Sequence, residues 1–228
     1  MNTLYTAVGK FEQRNNNGNR YPVILVNGEE HLVDIQEMIL WSSLSWRFWS
    51  LPQLQLDYEQ KTREADLSMT RSFEQGVARM LQRGLIASGD GETGEDALYD
   101  LLNSLYLIPT CCDFFTKMLS FLKLTFCDGL PFRVTRNIFQ KPPMTAEEHR
   151  VIGLARQALL STAEIIKCVD KGVYDLSSSQ KVMETLYDDD TTTCDNIGSL
   201  ARCFENREPV VLAVANLYLH KQLIFERI

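Results

Sequence analysis

Residues 81–96 read Leu81-Gln82-Arg83-Gly84-Leu85-Ile86-Ala87-Ser88-Gly89-Asp90-Gly91-Glu92-Thr93-Gly94-Glu95-Asp96. Upstream of them, Ser72 and Gln75 match a capping box, and Phe73, Val77, Met80 and Leu81 form one apolar stripe, so a helix runs into this stretch. Gly84 fits the helix end, because a left-handed residue there costs glycine little. Leu85-Ile86-Ala87 is then expected to be a short strand, and Ser88–Gly94 a tight polar loop.

Working outward toward the N-terminus, Asn27-Gly28 lies between the apolar runs Tyr21–Val26 and His31–Val33, a strong hairpin signal. Asp34 and Glu37 form a second capping box before Ile35, Met38, Ile39 and Leu44 at helical spacing. Trp41, Trp46, Phe48 and Trp49 crowd together next. Such a cluster can stack bases, but aromatics chiefly supply buried area, so a core plug is the expectation. Pro52 suits the first turn of a helix reaching about Glu64. The first 19 residues are polar and carry no expected element.

Toward the C-terminus, a helix is expected from about Glu95 to Leu107, with Pro109 beyond its end. Phe114, Phe115, Met118, Leu119 and Leu122 suit a buried helix, and Phe126–Phe139 reads as strands or as an irregular connection. Lys141-Pro142-Pro143 reads as a linker. The pattern then restarts. Thr145 and Glu148 form a capping box, and Val151, Ile152, Ala155, Leu159, Ile165, Ile166 and Val169 predict one long amphipathic helix. Shorter helices follow at Ser178–Tyr187 and Asp195–Phe204. Between them Asp188-Asp189-Asp190-Thr191-Thr192-Thr193 reads as a solvated turn. Pro209 opens a helix to Lys221, apolar on nearly every face, and Leu223-Ile224-Phe225 is a candidate strand.

Val77–Ile86 and Val214–Ile224 resemble each other, the second one residue longer: each is a helix that runs into a short apolar strand. The expected fold is therefore mainly α with short β-hairpins, in two tandem units at 20–110 and 144–228 joined by a connecting region at 111–143.

The first unit, over about Ile35–Gly94, resembles the winged-helix regulators of bacterial transcription, on its three helices followed by the helix-to-strand-to-glycine-loop stretch quoted above. The resemblance implies that the third helix enters the DNA major groove and that the glycine loop acts as a wing on the backbone. On that helix Arg71, Gln75, Arg79 and Gln82 are expected to face outward. Arg and Gln are the side chains that read guanine and adenine edges bidentately. With Ser72 and Arg83 they form the candidate DNA-binding set. The sequence departs from the family in its wing, where Asp90, Glu92, Glu95 and Asp96 stand without a Lys or Arg and would repel phosphate.

The bulk charge points the same way. Thirty acidic residues against 23 basic ones give a net charge of −7, which opposes non-specific nucleic-acid binding without excluding a local basic patch. No run approaches the roughly 18 apolar residues of a membrane span, and the start does not read as a signal peptide, so a cytoplasmic protein without membrane contact is expected. The six Cys, at 111, 112, 127, 168, 194 and 203, form no CxxC pair, and buried reduced thiols are expected rather than a zinc site. Phosphate-loop, nucleophile-elbow and dinucleotide motifs are absent, so neither an enzyme nor a cofactor is expected. The leading expectation is a DNA-binding regulator, dimerising through the apolar helices at 209–221 and 114–122. A protein-interaction module on the same scaffold, without DNA, is the other.

Overall fold

The computed structural model describes residues 1–16, 19–68, 70–110, 143–189 and 191–227. The helix expected at 114–122, the segment 126–139, Cys111, Cys112 and Cys127, and the Lys141-Pro142 part of the linker lie outside the described residues. Four strands open the chain: β1 (Asn2–Ala7), β2 (Lys10–Asn16), β3 (Asn19–Val26) and β4 (Glu29–Leu32). Helices α1 (Ile35–Leu44), α2 (Leu51–Glu64) and α3 (Phe73–Gln82) lead to β5 (Ile86–Gly91), α4 (Gly94–Leu102) and β6 (Tyr106–Pro109). The second half holds α5 (Ala146–Ala155), α6 (Thr162–Asp170), α7 (Ser179–Leu186), α8 (Ile197–Ala201), α9 (Arg207–Leu219) and β7 (Leu223–Glu226).

Helices hold close to half of the described residues and strands about a fifth, so the fold is mixed α/β with small antiparallel sheets rather than mainly α. The difference arises at the N-terminus. The start read as featureless forms β1 and β2, and β2 extends the Asn27-Gly28 hairpin into the three-stranded sheet β2-β3-β4. The hairpin itself forms as read, with Asn27 and Gly28 both at positive φ. Three further expectations change. The helix expected to reach Leu107 stops at Leu102, and Tyr106–Pro109 pairs with β7 instead. The long helix expected over 151–169 breaks into α5 and α6, because Ser161 starts a new helix through its own capping box with Glu164. The helix expected over 195–204 shrinks to α8.

The glycine-rich stretch after α3 differs from expectation as well. Ser88–Gly91 is not a loop but the second half of β5, paired along its length with β1 from Asn2↔Gly91 to Ala7↔Ile86. Its glycines serve close packing. A Cβ on Gly89 would stand 2.1 Å from the backbone nitrogen of Leu101, and one on Gly91 2.2 Å from that of Ala97, because α4 lies directly on the strand.

The two halves follow the same order. In the first, α1 is capped by Asp34, Trp49 bridges to Tyr5 of β1, α2 starts after Ser50, and α3 ends in β5 beside β1. In the second, α5 is capped by Thr145, Ser161 bridges to Tyr106 of β6, α6 starts after that same Ser161, and α9 ends in β7 beside β6. Capping residues keep a constant offset of 111, from 34 to 145 and from 50 to 161. The closing helices keep one of 137, from 84 to 221 and from 86 to 223, so the second copy is not one residue longer as the sequence comparison had it. Both closing helices end in the same hydrogen-bonded turn. Leu85 N donates to Met80 O and Gln222 N to Leu217 O, around a left-handed residue that is Gly84 in one and Lys221 in the other. The longer second offset accommodates α7 and α8, which have no counterpart between α2 and α3.

One continuous buried cluster runs through both halves. Helix α9 is its spine and packs on α4, α5 and α6. Of its apolar surplus, expected to mark a dimer interface, Val210, Val211, Ala213, Val214, Ala215, Leu217 and Tyr218 are buried within the chain, while Leu212 and Leu219 are exposed. The aromatic cluster, expected to be a core plug, is one only in part: Trp41, Trp46, Phe48 and Trp49 are half-buried against the core, and Trp46 and Phe48 pack on Tyr218 of the second half. The Tyr218 ring packs 5.2 Å from Trp46, 5.2 Å from Phe48 and 4.3 Å from Phe225, centroid to centroid. Its hydroxyl accepts from Thr6 Oγ1 and from Trp46 N, both at 3.0 Å.

Two substitutions test this packing. Tyr218→Phe keeps the ring but strands the Trp46 N–H, while Thr6 Oγ1 keeps Arg47 O as its acceptor at 2.9 Å, and should lower stability by about 1–3 kcal/mol, read as a lower urea midpoint at unchanged slope. Gly89→Ala drives a methyl into the α4 backbone and should destabilise by at least about 1–3 kcal/mol, read as a lower Tm by calorimetry.

Candidate nucleic-acid interface

Helix α3 carries the residues that the sequence nominated for base reading. It forms where it does because Ser72 Oγ accepts from Gln75 N and Ser72 N donates to the Gln75 side chain, each at 3.2 Å. Ser72 and Gln75 thus act first as the helix cap. Phe73, Gly76, Val77 and Met80 face the core, and Gly76 lets α3 approach α1, where a Cβ would stand 2.9 Å from Leu40 Cδ1.

The opposite expectation, that Arg71 and Arg79 point outward with Gln75 and Gln82, holds in part. Gln75, Arg79 and Gln82 are exposed, and Arg71 and Arg83 are half-buried. The three arginines, however, converge on the N-terminus of α1. Arg79 Nε donates to Glu37 Oε1 and Arg83 Nη1 to Glu37 Oε2, each at 2.7 Å, and Arg83 Nη2 donates to Leu32 O at 2.6 Å. Arg71 pairs with Asp34 through Nη2 and with Gln36 Oε1 through Nε at 3.2 Å. The Glu37 side chain is only 2% exposed, while Arg79 keeps 52% of its surface in solvent.

Glu37 therefore does two jobs. Its carboxylate closes the α1 capping box on Asp34 N at 3.1 Å and binds both arginines. Burial by itself would raise its pKa, but the hydrogen bonds from Arg83 and Arg79 and from the backbone outweigh that and hold it below the ordinary 4.5. Asp34 behaves alike: burial opposes ionisation, and the α1 backbone together with Arg71 more than compensates. The clamp neutralises much of the positive charge that the α3 face would bring to a phosphate backbone. The Glu37 capping role was legible in the sequence. Its ion pairs were not, since they depend on how α1 crosses α3.

The acidic stretch after α3 sits in an equally occupied setting. Asp96 and Asp100 face the second half, where Arg207 Nη1 lies 3.7 Å from Asp96 and Arg202 Nη2 2.7 Å from Asp100. Both guanidiniums flank the Tyr99 ring at 5.4 Å. Burial lifts the Tyr99 phenol to about 12, and its hydroxyl donates to Gly198 O. Asp90 and Glu92 remain exposed. Asp90 lies in β5, paired with β1, so this part of the acidic stretch is strand and not an open loop.

Elsewhere, the Asp188–Thr193 stretch is anchored rather than free. Lys167, buried on α6, donates to Leu186 O at 2.5 Å, and to Asp189 Oδ2 and Thr192 Oγ1 at 2.8 Å each. Lys171 pairs with Asp188 at 2.6 Å. Of the described cysteines, Cys168 is buried, with its thiol pushed up to about 12 by that burial, but Cys194 and Cys203 are exposed, against the expectation of mostly buried thiols. Among the described residues no group of three or more His, Cys, Asp or Glu side chains could hold a metal, and no helix is long and apolar enough to cross a membrane. No family model, no curated protein and no solved structure matches the chain.

The clamp makes a pH prediction. Because the folded pKa of Glu37 lies below its unfolded value, its contribution is fully present above about pH 4.5 and is lost as pH falls through the folded pKa. Glu37→Gln should cost about 1–3 kcal/mol at neutral pH, since charge-assisted bonds are replaced by weaker neutral ones. It should also flatten the acid limb of the stability curve. Urea titrations of both proteins at a series of pH values check this, and an unchanged acid limb would refute the clamp.

Proposed function

We propose that the chain is a non-enzymatic protein-interaction module built on two winged-helix-like units. The observation that carries this reading is the Glu37 clamp: the arginines nominated for base reading are bonded to carboxylates of the same chain. Three further features support it. The net charge of −7 opposes approach to nucleic acid. On α9, which takes the place of α3 in the second half, the positions matching Gln75, Arg79 and Gln82 are Leu212, Asn216 and Leu219, so no cation is presented there. An apolar groove of about 490 Å³ opens between α1 and the start of β2, lined by Phe11, Met38, Ile39, Trp41, Trp46 and Ile224 among others. Exposed contiguous apolar surface of this kind marks partner sites in soluble proteins. The repeated order of strand, helix, bridge, helix, closing helix and strand supports the tandem scaffold.

Sequence-specific DNA binding is the other reading, and one feature favours it: Gln75, Arg79 and Gln82 stay exposed on one helix. The two are separated by selecting DNA from a random pool and comparing wild type with Arg79→Ala by fluorescence anisotropy. The proposed function expects no enriched sequence. An enriched sequence that Arg79→Ala binds roughly tenfold more weakly, about 1.4 kcal/mol, would overturn it. On the protein side, a photo-crosslinking residue in place of the exposed Ser42 should give a discrete protein adduct that disappears when Phe11→Glu puts a charge into the groove.

A further inference from the structure

The groove between α1 and the start of β2 lies beside an open strand edge. The two-residue Asn27-Gly28 turn makes Val26 and Glu29 a hydrogen-bonded pair, and bonded pairs alternate along the strand from there. The backbone groups of Ile24 and Val26 thus face β4. Those of Val23 and Leu25 face β2, where they meet Glu12 and Lys10. The N–H and C=O groups of Phe11 and Gln13 consequently point away from the sheet, and they bond to none of the described residues. Gly9, two positions before Phe11 in the same alternation, shows what this side of the chain accepts: its N–H donates to Phe225 O of β7 at 2.8 Å. Beyond Gly9 the edge is left unpaired.

The same alternation sorts the side chains of β2. Phe11 lies opposite the fully buried Ile24, so Phe11 and Gln13 share the inner face of the sheet. Phe11 is 41% exposed, and its ring stands 6.4 Å from that of Trp41 on α1. Met38, Ile39 and Trp41 line the groove together with Phe11, and Lys10 is the one charged residue among the described residues of the lining. On the outer face of β2, Lys10 and Arg14 flank Glu12 and pair with it at 2.9 and 3.0 Å. Charged side chains, lysine above all, are how an edge strand refuses indiscriminate pairing. They also set a condition on any strand that does pair there, because opposite charges across a ladder attract and like charges repel.

We propose that the groove takes an extended segment of a partner protein, added as an antiparallel strand to the free edge of β2. This rests on the groove being a partner site and states what fills it. Antiparallel is the sense of every pairing among the described strands. The residue opposite Phe11 exchanges both backbone hydrogen bonds with it and turns an apolar side chain into the groove, toward Trp41. The residue opposite Gln13 does the same two positions on. The residues between and beside them lie on the outer face, where Lys10, Glu12 and Arg14 call for an acid, a base and an acid in turn. An amphipathic helix would fill the groove with residues three and four apart and leave the amides of Phe11 and Gln13 open.

The probe is the capped peptide Asp-Val-Lys-Val-Asp, titrated into the full-length protein while the backbone amides of Phe11 and Gln13 are followed by NMR. Both amide protons should shift downfield saturably and exchange more slowly with solvent. The charge-inverted peptide Lys-Val-Asp-Val-Lys should bind more weakly. N-methylating the two valines, whose amides face β2, should abolish binding, whereas N-methylating the central lysine, whose amide faces away, should not. Gln13→Pro removes one edge donor without breaking the ladder, since Gln13 faces Pro22 across it, and should weaken binding roughly tenfold. The methylated peptides keep the test intact if that variant folds poorly. Open amides at Phe11 and Gln13 under saturating peptide, equal binding of the inverted peptide, or loss on methylating the lysine alone would each overturn the proposal. So would a dimer in sedimentation whose edge amides are already protected without peptide, because a second copy then closes the edge. A Ser42 adduct that survives Gln13→Pro would leave the groove a partner site and sink the added strand alone, and the absence of any adduct would remove both.

Discussion

The phenol of Tyr218 is the interaction on which the rest of the structure depends. It belongs to the closing helix of the second half, yet every group that its hydroxyl meets is in the first: Thr6, Trp46, and at longer range the carbonyls of Ala7 and Leu44. Those groups sit where α1 ends and the chain turns back toward β1. Trp46 holds a left-handed conformation there, with φ +62, that an L side chain rarely adopts. Its N–H has no helix partner, and the Tyr218 oxygen supplies one. Burial lifts the phenol to about 12, so it remains neutral and able to donate as well as accept throughout the physiological range. The ring covers the aromatic cluster while the hydroxyl satisfies the turn behind it. A phenylalanine could do only the first.

A second constraint fixes how the strands meet. At Gly9, between β1 and β2, the φ is +83 and an added Cβ would lie 2.2 Å from Leu25 O. Gly9 N donates to Phe225 O at 2.8 Å, and one residue earlier Val8 N donates to Leu85 O at 3.0 Å. Three short sheets from both halves are thereby tied within two residues. Two of them are two-stranded ribbons, which are marginal in water when isolated. Their stability comes from this junction and from the helices laid on them.

The parts of this architecture legible in the sequence were those set by neighbours in the chain. Capping boxes at Asp34, Ser72 and Thr145 form as read, as does the Asn27-Gly28 turn, because each needs only residues within a few positions. What stayed hidden was set by distant pairing. The sequence Asn2–Ala7 shows no apolar–polar alternation to announce a strand, and β1 forms where β5 and Trp49 pair with it. Gly89 and Gly91 read as loop residues because nothing local shows that α4 presses on them. The candidate interface failed to read through for the same reason. The α3 wheel placed Arg79 outward correctly, but a wheel carries no information about Glu37 on another helix.

The two halves also show what a repeated topology does and does not preserve. The closing turn survives with Gly84 in one copy and Lys221 in the other, so the hydrogen-bond pattern outlasts the residue that makes it easy. The outer face of the closing helix keeps its place but changes character. In α3 it carries Gln75, Arg79 and Gln82, while the α9 positions at the same offset of 137 are Leu212, Asn216 and Leu219, which are exposed as well but mostly apolar. The opposite side of α9 packs against α4, α5 and α6 and gives the shared core its spine. The repeated turn thus fixes where the outer face lies, and the side chains set on it decide what it can offer: cation and amide on α3, leucine on α9.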